Sequence, residues 1–135
     1  MRFAGDTRDR LVDLARAGIP NEVCGVLGGR LEDSSDGEAP ERIVESVHPV
    51  PNVADSPRTR YGLDPAETVR VIDDLEESGE TLVGFYHSHP RGPDGPSETD
   101  HELATWADTV YCIVSLAGEP TVRSWLWTGE RFQPA

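Results

Sequence analysis

TLVGFYHSHPRGPDGPSETD, Thr81 to Asp100, is the stretch of the chain from which its architecture can be read. Its first six residues, Thr81 to Tyr86, are mostly apolar and predict a buried strand. The next ten, His87 to Pro96, are rich in proline and glycine and predict a loop. Ser97 is a favourable N-cap residue, so a helix is expected from there to about Ala107.

Apolar segments on both sides of this stretch predict further strands. Glu22 to Gly29 (EVCGVLGG) is apolar on both faces and is expected to form a buried strand that ends in a glycine turn. Arg42 to Val50 alternates between apolar and polar residues, as a half-buried strand does. Polar residues predict loops at 30–41 and 51–57. The remaining predicted strands are 58–63, 109–115 and 121–127.

Two other segments have the apolar spacing of helices. The first begins at Asp6 or Thr7 and stops near Gly18, and the second begins with Asp64 as its N-cap and closes at Gly79. The elements together predict an α/β fold, with a mixed and mostly antiparallel sheet flanked by helices. The first helix is expected to bury Leu11, Leu14 and Ala15, and the second Val69, Ile72 and Leu75.

The charge balance excludes some partners. The chain has 25 acidic residues against 12 basic ones, all of them arginine, and a net charge of −13. Such a surface repels phosphates and anionic lipid, so neither nucleic acid nor a membrane is expected as a partner. An acidic chain without lysine is typical of salt-loving archaea, since concentrated salt screens the self-repulsion.

Length and cysteine usage indicate one domain in a reducing compartment. A chain of 135 residues is one ordinary domain. No apolar run approaches the roughly 20 residues of a membrane span, and the polar N-terminus does not resemble a signal peptide. We therefore expect a cytoplasmic protein. Cys24 and Cys112 are interpreted as buried reduced thiols, with a disulfide or a catalytic cysteine as the alternative.

The stretch from Tyr86 to Asp100 combines side chains that bind metals. His87 and His89 are two residues apart, so an extended backbone would present both imidazoles on one side. Asp100 lies within a loop's distance and completes a set of two histidines and one carboxylate. Such a set with an open fourth position is typical of catalytic zinc.

Other interpretations of these residues stay open. Two histidines and a carboxylate also hold iron in oxygenases. Ser97 and Asp100 have the spacing of a helix capping box, which needs no metal. His101 is a further possible ligand, although it lies about 100° around the helix from Asp100.

A family resemblance favours the zinc interpretation. The segment His87–Pro90 (HSHP), followed by six residues, Ser97, two more residues and Asp100, resembles the signature of the JAMM/MPN+ metalloprotease family. The resemblance covers about residues 7–127. It implies a single MPN/JAMM domain, of the cytidine-deaminase-like fold, over residues 1–135.

The resemblance also implies roles for individual residues. It makes His87, His89 and Asp100 the ligands of one zinc ion per chain, with water in the fourth position. Glu22 is similar to the family's upstream glutamate and would act as general acid and base. Ser97 would hydrogen-bond the oxyanion of the tetrahedral intermediate, whereas Ser88 and Pro90 are expected only to shape the loop.

The implied reaction is hydrolysis of isopeptide bonds after the C-terminal glycine of a ubiquitin-like modifier. For an archaeal chain the expected partners are conjugates of small archaeal modifiers, an activity called desampylation. The segment 52–61 is a candidate for pairing with the modifier's tail as an added strand, and Arg58 and Arg60 could contact an acidic modifier. Two alternatives remain, namely a JAMM peptidase that processes a sulfur-carrier protein and a non-catalytic MPN scaffold.

Overall fold

A computed structural model of the protein describes residues 1–33, 37, 39–104 and 106–135. These residues form seven strands and three helices, named here in chain order. They are β1 (Arg2–Phe3), α1 (Thr7–Gly18), β2 (Cys24–Glu32), β3 (Glu41–Val50), α2 (Pro65–Glu77), β4 (Thr81–His89), α3 (Glu98–Leu103), β5 (Thr109–Ser115), β6 (Thr121–Trp127) and β7 (Phe132–Pro134).

The described strands form one sheet in the order β1-β3-β2-β4-β5-β6-β7. Two neighbouring pairs, β1 with β3 and β4 with β5, are parallel. The other four pairs are antiparallel. The predicted α/β fold with a mixed, mostly antiparallel sheet is confirmed.

Both faces of the central strands are buried, one against α1 and the other against α2. Alternate residues of a strand point to opposite faces, so Leu27 and Tyr86 pack with the α1 side while Val26 and Phe85 pack with the α2 side. This explains why the central strands are almost continuously apolar. The site described below lies at one end of this doubly covered sheet.

The second helix begins as the sequence predicts but buries a different residue. The Asp64 carboxylate accepts hydrogen bonds from the amides of Ala66 and Glu67, at 3.0 and 3.3 Å. Leu75 is buried as expected, whereas Val69 is 60% exposed and Val71 is buried instead. The prediction for Val69 was wrong because that residue faces away from the sheet. Within the described residues, no helix has the length and apolarity needed to cross a membrane.

β2 does not end in a glycine turn, and it does not contain Glu22. The strand starts at Cys24 and continues through its glycines to Glu32, so residues 30–32 are strand and not loop. At Gly29 a Cβ atom would collide with the carbonyl oxygen of Ile43 on β3. The glycine therefore permits a close approach of two strands, where the sequence indicated a turn. The remainder of the predicted loop includes residues 34–36 and 38, which lie outside the described residues.

β4 continues three residues beyond Tyr86 and contains both histidines of the motif. His87 pairs with Ile113 and His89 with Ser115 on the parallel strand β5. The predicted loop therefore starts after His89, because pairing with β5 keeps this polar end extended. Two further boundaries were wrong. Residues 58–63 form no strand beyond a single bridge between Asn52 and Leu63, and α3 ends at Leu103 rather than Ala107.

Candidate metal centre

The centre forms where the start of β2 meets the end of β4. The two strands are antiparallel, with Cys24 opposite His87, so the segment just before β2 lies beside His89. The amide of Val23 donates to the Ser88 hydroxyl at 2.8 Å, and the amide of Ser88 donates to the Val23 carbonyl at 2.9 Å. This segment carries Glu22, which is only 6% exposed.

Three polar side chains converge on one point. The Nε2 atoms of His87 and His89 lie 3.2 Å apart, because both residues point to the same face of β4. Asp100 places Oδ1 at 3.1 Å from His87 Nε2 and Oδ2 at 2.9 Å from His89 Nε2. All three residues are buried.

Asp100 is held by the start of α3. Its Oδ2 accepts a hydrogen bond from the backbone amide of Ser97 at 2.9 Å, and its own amide donates to the Ser97 hydroxyl at 3.0 Å. This is a capping box. Ser97 and Asp100 therefore cap the helix, as one interpretation of the sequence expected, and also lie at the centre.

The histidine rings are oriented by contacts with residues outside the cluster. The carbonyl oxygen of Pro93 lies 2.8 Å from His89 Nδ1 and so favours a proton on Nδ1, which leaves Nε2 as a lone-pair donor. The ring of Tyr61 stacks on His87, with centroids 4.1 Å apart and an angle of 17°. The Nδ1 of His87 is buried without a hydrogen-bond partner in the described residues.

These residues fit a metal ion. One ligand atom from each of Glu22, His87, His89 and Asp100 lies within 4.8 Å of the others, and all four residues are buried. A tetrahedral zinc site with bonds of about 2.0–2.1 Å requires ligand atoms about 3.3 Å apart. The two histidine Nε2 atoms lie 3.2 Å apart, close to this spacing, and each lies 2.9–3.1 Å from a different oxygen of Asp100. The cluster could therefore hold a metal.

Glu22 has the environment of a proton carrier. Burial raises the pKa of its carboxyl group from 4.5 to about 7, with His89 opposing this shift and Asp100 adding to it. Its Oε1 is buried without a hydrogen-bond partner in the described structure. A carboxyl group with a pKa near neutrality can both accept and return a proton.

Of the other three groups, His87 and Asp100 favour the states that bind cations, whereas the hydrogen bonds of His89 favour its protonated form. Burial lowers the pKa of His87 and keeps its imidazole neutral. Burial acts the same way on His89, but its hydrogen bonds to Asp100 and Pro93 outweigh this and raise its pKa. Although burial opposes ionisation of Asp100, hydrogen bonds from both histidines hold the pKa of this carboxyl below its usual value. Asp100 is therefore an anion.

A cleft of about 450 Å³ opens onto the centre. Glu22, His89 and Ser97 line it, and Arg58 and Arg91 also lie along it. Both arginines are exposed, and neither forms an ion pair with another described residue. The chain has a net charge of −13, so two exposed arginines without ion-pair partners set the rim of this cleft apart from a mostly acidic surface.

Some of the residues that the sequence suggested for the site lie at the centre or along the cleft, and others do not. Glu22 and Ser97 lie with the three ligand candidates, and Arg58 lines the cleft whereas Arg60 does not. The His101 ring packs edge-on against Trp127, with centroids 4.9 Å apart, so the alternative of His101 as a ligand is wrong.

Sequence reasoning missed or misjudged three residues near the centre. Ser88 is fully buried within β4 and holds Val23, where only a loop-shaping role was expected. Tyr61 and Asn52 were not identified. Their signal was weak, because a tyrosine and an asparagine in a polar segment carry no metal-binding pattern.

The two cysteines take no part in this chemistry. Cys24 and Cys112 are free and buried, as predicted. Burial raises the pKa of both thiols to about 12. Since the thiolate is the nucleophilic form, the catalytic-cysteine alternative has no support.

Comparison with known proteins identifies a family. Residues 5–128 match the family described as prokaryotic homologues of the JAB domain. The desampylase of Haloferax volcanii is 44% identical over 98% of this chain and 91% of its own length. The CysO-cysteine peptidase of Mycobacterium tuberculosis is 40% identical over 82% of this chain and 69% of its own length.

A solved structure shares the fold. The solution structure of a Desulfitobacterium hafniense protein is 32% identical in sequence and superposes with a TM-score of 0.86. The match covers 99% of this chain and 88% of the other. The sheet order and helix placement described above are therefore those of a known structural type.

Proposed function

Because the chain belongs to the family of prokaryotic JAB-domain homologues, we propose that it is a zinc-dependent isopeptidase that removes a ubiquitin-like modifier from protein conjugates. Its named relatives are a desampylase and a cysteine peptidase, so the chain is a hydrolase. The finer assignment rests on the centre and on the degree of identity to the desampylase.

One observation carries the proposal. Two imidazoles, one ionised carboxylate and one carboxyl group of raised pKa are buried within 4.8 Å of one another. Burial of so many polar groups is costly unless they bind something. Two histidines and a carboxylate, beside an acid/base group and an open cleft, suit a catalytic zinc site better than a closed structural one. In this proposal His87, His89 and Asp100 hold the ion.

The proposed chemistry divides between the ion and Glu22. A zinc ion in this set supplies Lewis acidity, which polarises the scissile carbonyl and makes water easier to deprotonate. Glu22 takes the proton from the attacking water and then returns it to the leaving amine. This sequence needs one group that acts first as base and then as acid, and a pKa of about 7 suits both steps.

Ser97 is proposed to steady the oxyanion. Its hydroxyl oxygen accepts a hydrogen bond from the amide of Asp100 at 3.0 Å, which leaves the hydroxyl proton available for donation. The residue lines the cleft, so this proton can reach a bound carbonyl group. A donor fixed in advance at the site of charge development is worth several kcal/mol in the transition state, roughly 3 to 4.

The proposed substrate class is a lysine-linked conjugate of a small archaeal ubiquitin-like modifier. The desampylase relative supports this class, and the chain's acidic, lysine-free composition supports a salt-loving source like that relative's. Arg58 and Arg91 at the cleft provide attraction for an acidic modifier. The segment 52–61 next to the cleft remains a proposed site for the modifier's tail.

A second candidate function has one specific observation in its favour, the 40% identity to a CysO-cysteine peptidase. An enzyme of that kind would release cysteine from the C-terminus of a sulfur carrier. The two candidates are tested by comparing a lysine-linked conjugate, a linear fusion and a cysteinyl adduct of one modifier in molar salt. Preference for the lysine-linked conjugate supports the isopeptidase, and preference for the cysteinyl adduct supports the second candidate.

A further inference from the structure

The side chain of Asn52 makes four hydrogen bonds to backbone atoms. Its Nδ2 donates to the carbonyl oxygens of Glu22 at 2.9 Å and Arg60 at 3.0 Å. Its Oδ1 accepts from the amides of Ala54 at 3.1 Å and Gly62 at 3.0 Å. A primary amide offers two donor hydrogens and two acceptor lone pairs, so the capacity of this side chain is used in full.

The chemistry of its partners fixes the orientation of this amide. Both partners of Nδ2 are carbonyl oxygens, and both partners of Oδ1 are N–H groups. Rotation of the amide by 180° would place oxygen against oxygen and N–H against N–H. Only the observed orientation of the Asn52 side-chain amide therefore satisfies all four hydrogen bonds.

Two of these bonds hold the residues on either side of Tyr61. Arg60 is bonded through its carbonyl oxygen and Gly62 through its amide. Tyr61 itself stacks on His87 at 4.1 Å. A third bond reaches the carbonyl of Glu22. One side chain thus fixes both the residue proposed as acid and base and the ring that packs on a proposed zinc ligand.

Closure of the segment 52–62 does not require the bond to Glu22. The amide of Val53 donates to the Gly62 carbonyl at 2.8 Å, and Asn52 forms a bridge with Leu63. The bond from Asn52 to Glu22 joins this segment to residues 30 positions earlier in the chain. A second hydrogen bond between the same two parts of the chain runs from the Glu22 amide to the Pro57 carbonyl at 2.7 Å.

We propose that Asn52 is a positioning residue that locks Glu22 and Tyr61 into one rigid unit around the metal centre. This inference rests on the proposed function. A displacement of about 1 Å in a reacting group can cost about 100-fold in rate, so loss of the lock should lower kcat. Because residues 58 and 59 of the same segment line the cleft, a smaller rise in KM is also expected.

The test compares Asn52→Ala and Asn52→Asp with matched changes at Asn21. Asn52→Ala removes all four bonds. Asn52→Asp keeps the acceptor oxygen but sets a second oxygen against the two carbonyls, so only the donor half is lost. Asn21 is exposed, adjoins Glu22 and makes no side-chain hydrogen bond within the described structure. Asn21→Ala and Asn21→Asp therefore control for truncation and for a new charge near Glu22.

The first readout is amide hydrogen exchange in the presence of chelator, which needs neither zinc nor activity. Asn52→Ala is expected to speed exchange at the amides of Glu22, Ala54 and Gly62, while β4 and β5 stay protected. The Asn21 variants should match wild type at all three amides. Unchanged exchange in Asn52→Ala would overturn the proposal, whatever the activity shows.

The second readout is kcat per zinc-loaded molecule, measured well below each variant's Tm. Both Asn52 variants should lose roughly tenfold or more, and both Asn21 variants less than about twofold. In a Glu22→Gln background Asn52→Ala should lower kcat by a clearly smaller factor than in wild type, because the part of its effect that acts through Glu22 is already lost. The proposal would be overturned if the kcat losses of Glu22→Gln and Asn52→Ala multiplied in full in the double variant. Normal kcat in Asn52→Ala would also overturn it. An inactive wild type would instead refute the proposed function and leave the exchange experiment to decide on the lock.

Discussion

The backbone amide of Ser97 donates to the carboxylate of Asp100 at 2.9 Å, and the amide of Asp100 donates back to the Ser97 hydroxyl at 3.0 Å. This reciprocal pair begins α3 and at the same time aims the Asp100 carboxylate at the two histidines. Stability of the helix start and geometry of the metal centre therefore depend on the same two hydrogen bonds.

Substitutions at Ser97 should separate capping from catalysis. Ser97→Ala removes both the cap and the donor, so it should cost about 1 kcal/mol of unfolding free energy and lower kcat about 10²- to 10³-fold. Ser97→Gly should lose as much rate but only a few tenths of a kcal/mol, since glycine is tolerated at the N-cap. Denaturant unfolding and steady-state kinetics measure the two effects. Wild-type kcat in Ser97→Gly would refute the proposed oxyanion role.

Zinc content should depend on His89 and not on His101. His89→Ala removes one of three proposed ligands and should reduce bound zinc from about one per chain to well below that. His101→Ala removes a ring that packs on Trp127, so it should lower Tm and leave zinc content unchanged. Metal analysis after dialysis gives the answer. Equal zinc in both variants would remove His89 from the ligand set.

Without metal, Glu22 should make stability depend on pH. Burial raises the pKa of this carboxyl group from 4.5 to about 7, so between these values the folded state binds a proton that the unfolded state has lost. Stability should therefore fall as pH rises through this window. Glu22→Gln lacks this penalty, so in chelator its Tm should match wild type near pH 4.5 and exceed it above pH 7. A Tm difference that is constant across this range would contradict the raised pKa.

Arg58 and Arg91 should affect substrate binding. Replacing both with glutamine removes two cationic side chains from the cleft, so KM for a protein conjugate should rise severalfold with kcat nearly unchanged. Added salt should shrink the difference from wild type, because these charges are exposed. Arg131→Gln is the control, since Arg131 is exposed and does not line the cleft. Equal KM values for the double variant and the control would exclude this role.

Much of the fold could be predicted because local pattern and tertiary structure agree. β5 and β6 have the predicted bounds, 109–115 and 121–127, since β-branched and aromatic residues fill both strands. α2 starts at its predicted cap because Asp64 satisfies amides of its own first turn. These features depend on residues close together in the sequence.

The errors occur where distant segments decide the structure. His87 and His89 extend β4 because β5 provides a parallel partner, although the local composition indicates a loop. Gly29 stays in β2 because the backbone of β3 occupies the space of a side chain there, and Gly28 because the side chains of Ser46 and Glu80 do. The motif that supplies the proposed metal ligands is local and could be recognised from its spacing. Tyr61 and Asn52 reach the centre only through tertiary contacts, so no local pattern predicts their place there, although the segment 52–61 was itself a candidate for substrate binding.

The proposed zinc-dependent isopeptidase activity can be measured as cleavage of a lysine-linked conjugate of an archaeal ubiquitin-like modifier in molar salt. Wild-type protein, chelated protein, chelated protein with zinc restored and Glu22→Ala are compared. We expect cleavage by wild type, loss on chelation, recovery with zinc, and a drop of about 10²-fold or more in Glu22→Ala. Cleavage that survives both chelation and the substitution would contradict the proposal, as would a purified protein that binds no zinc.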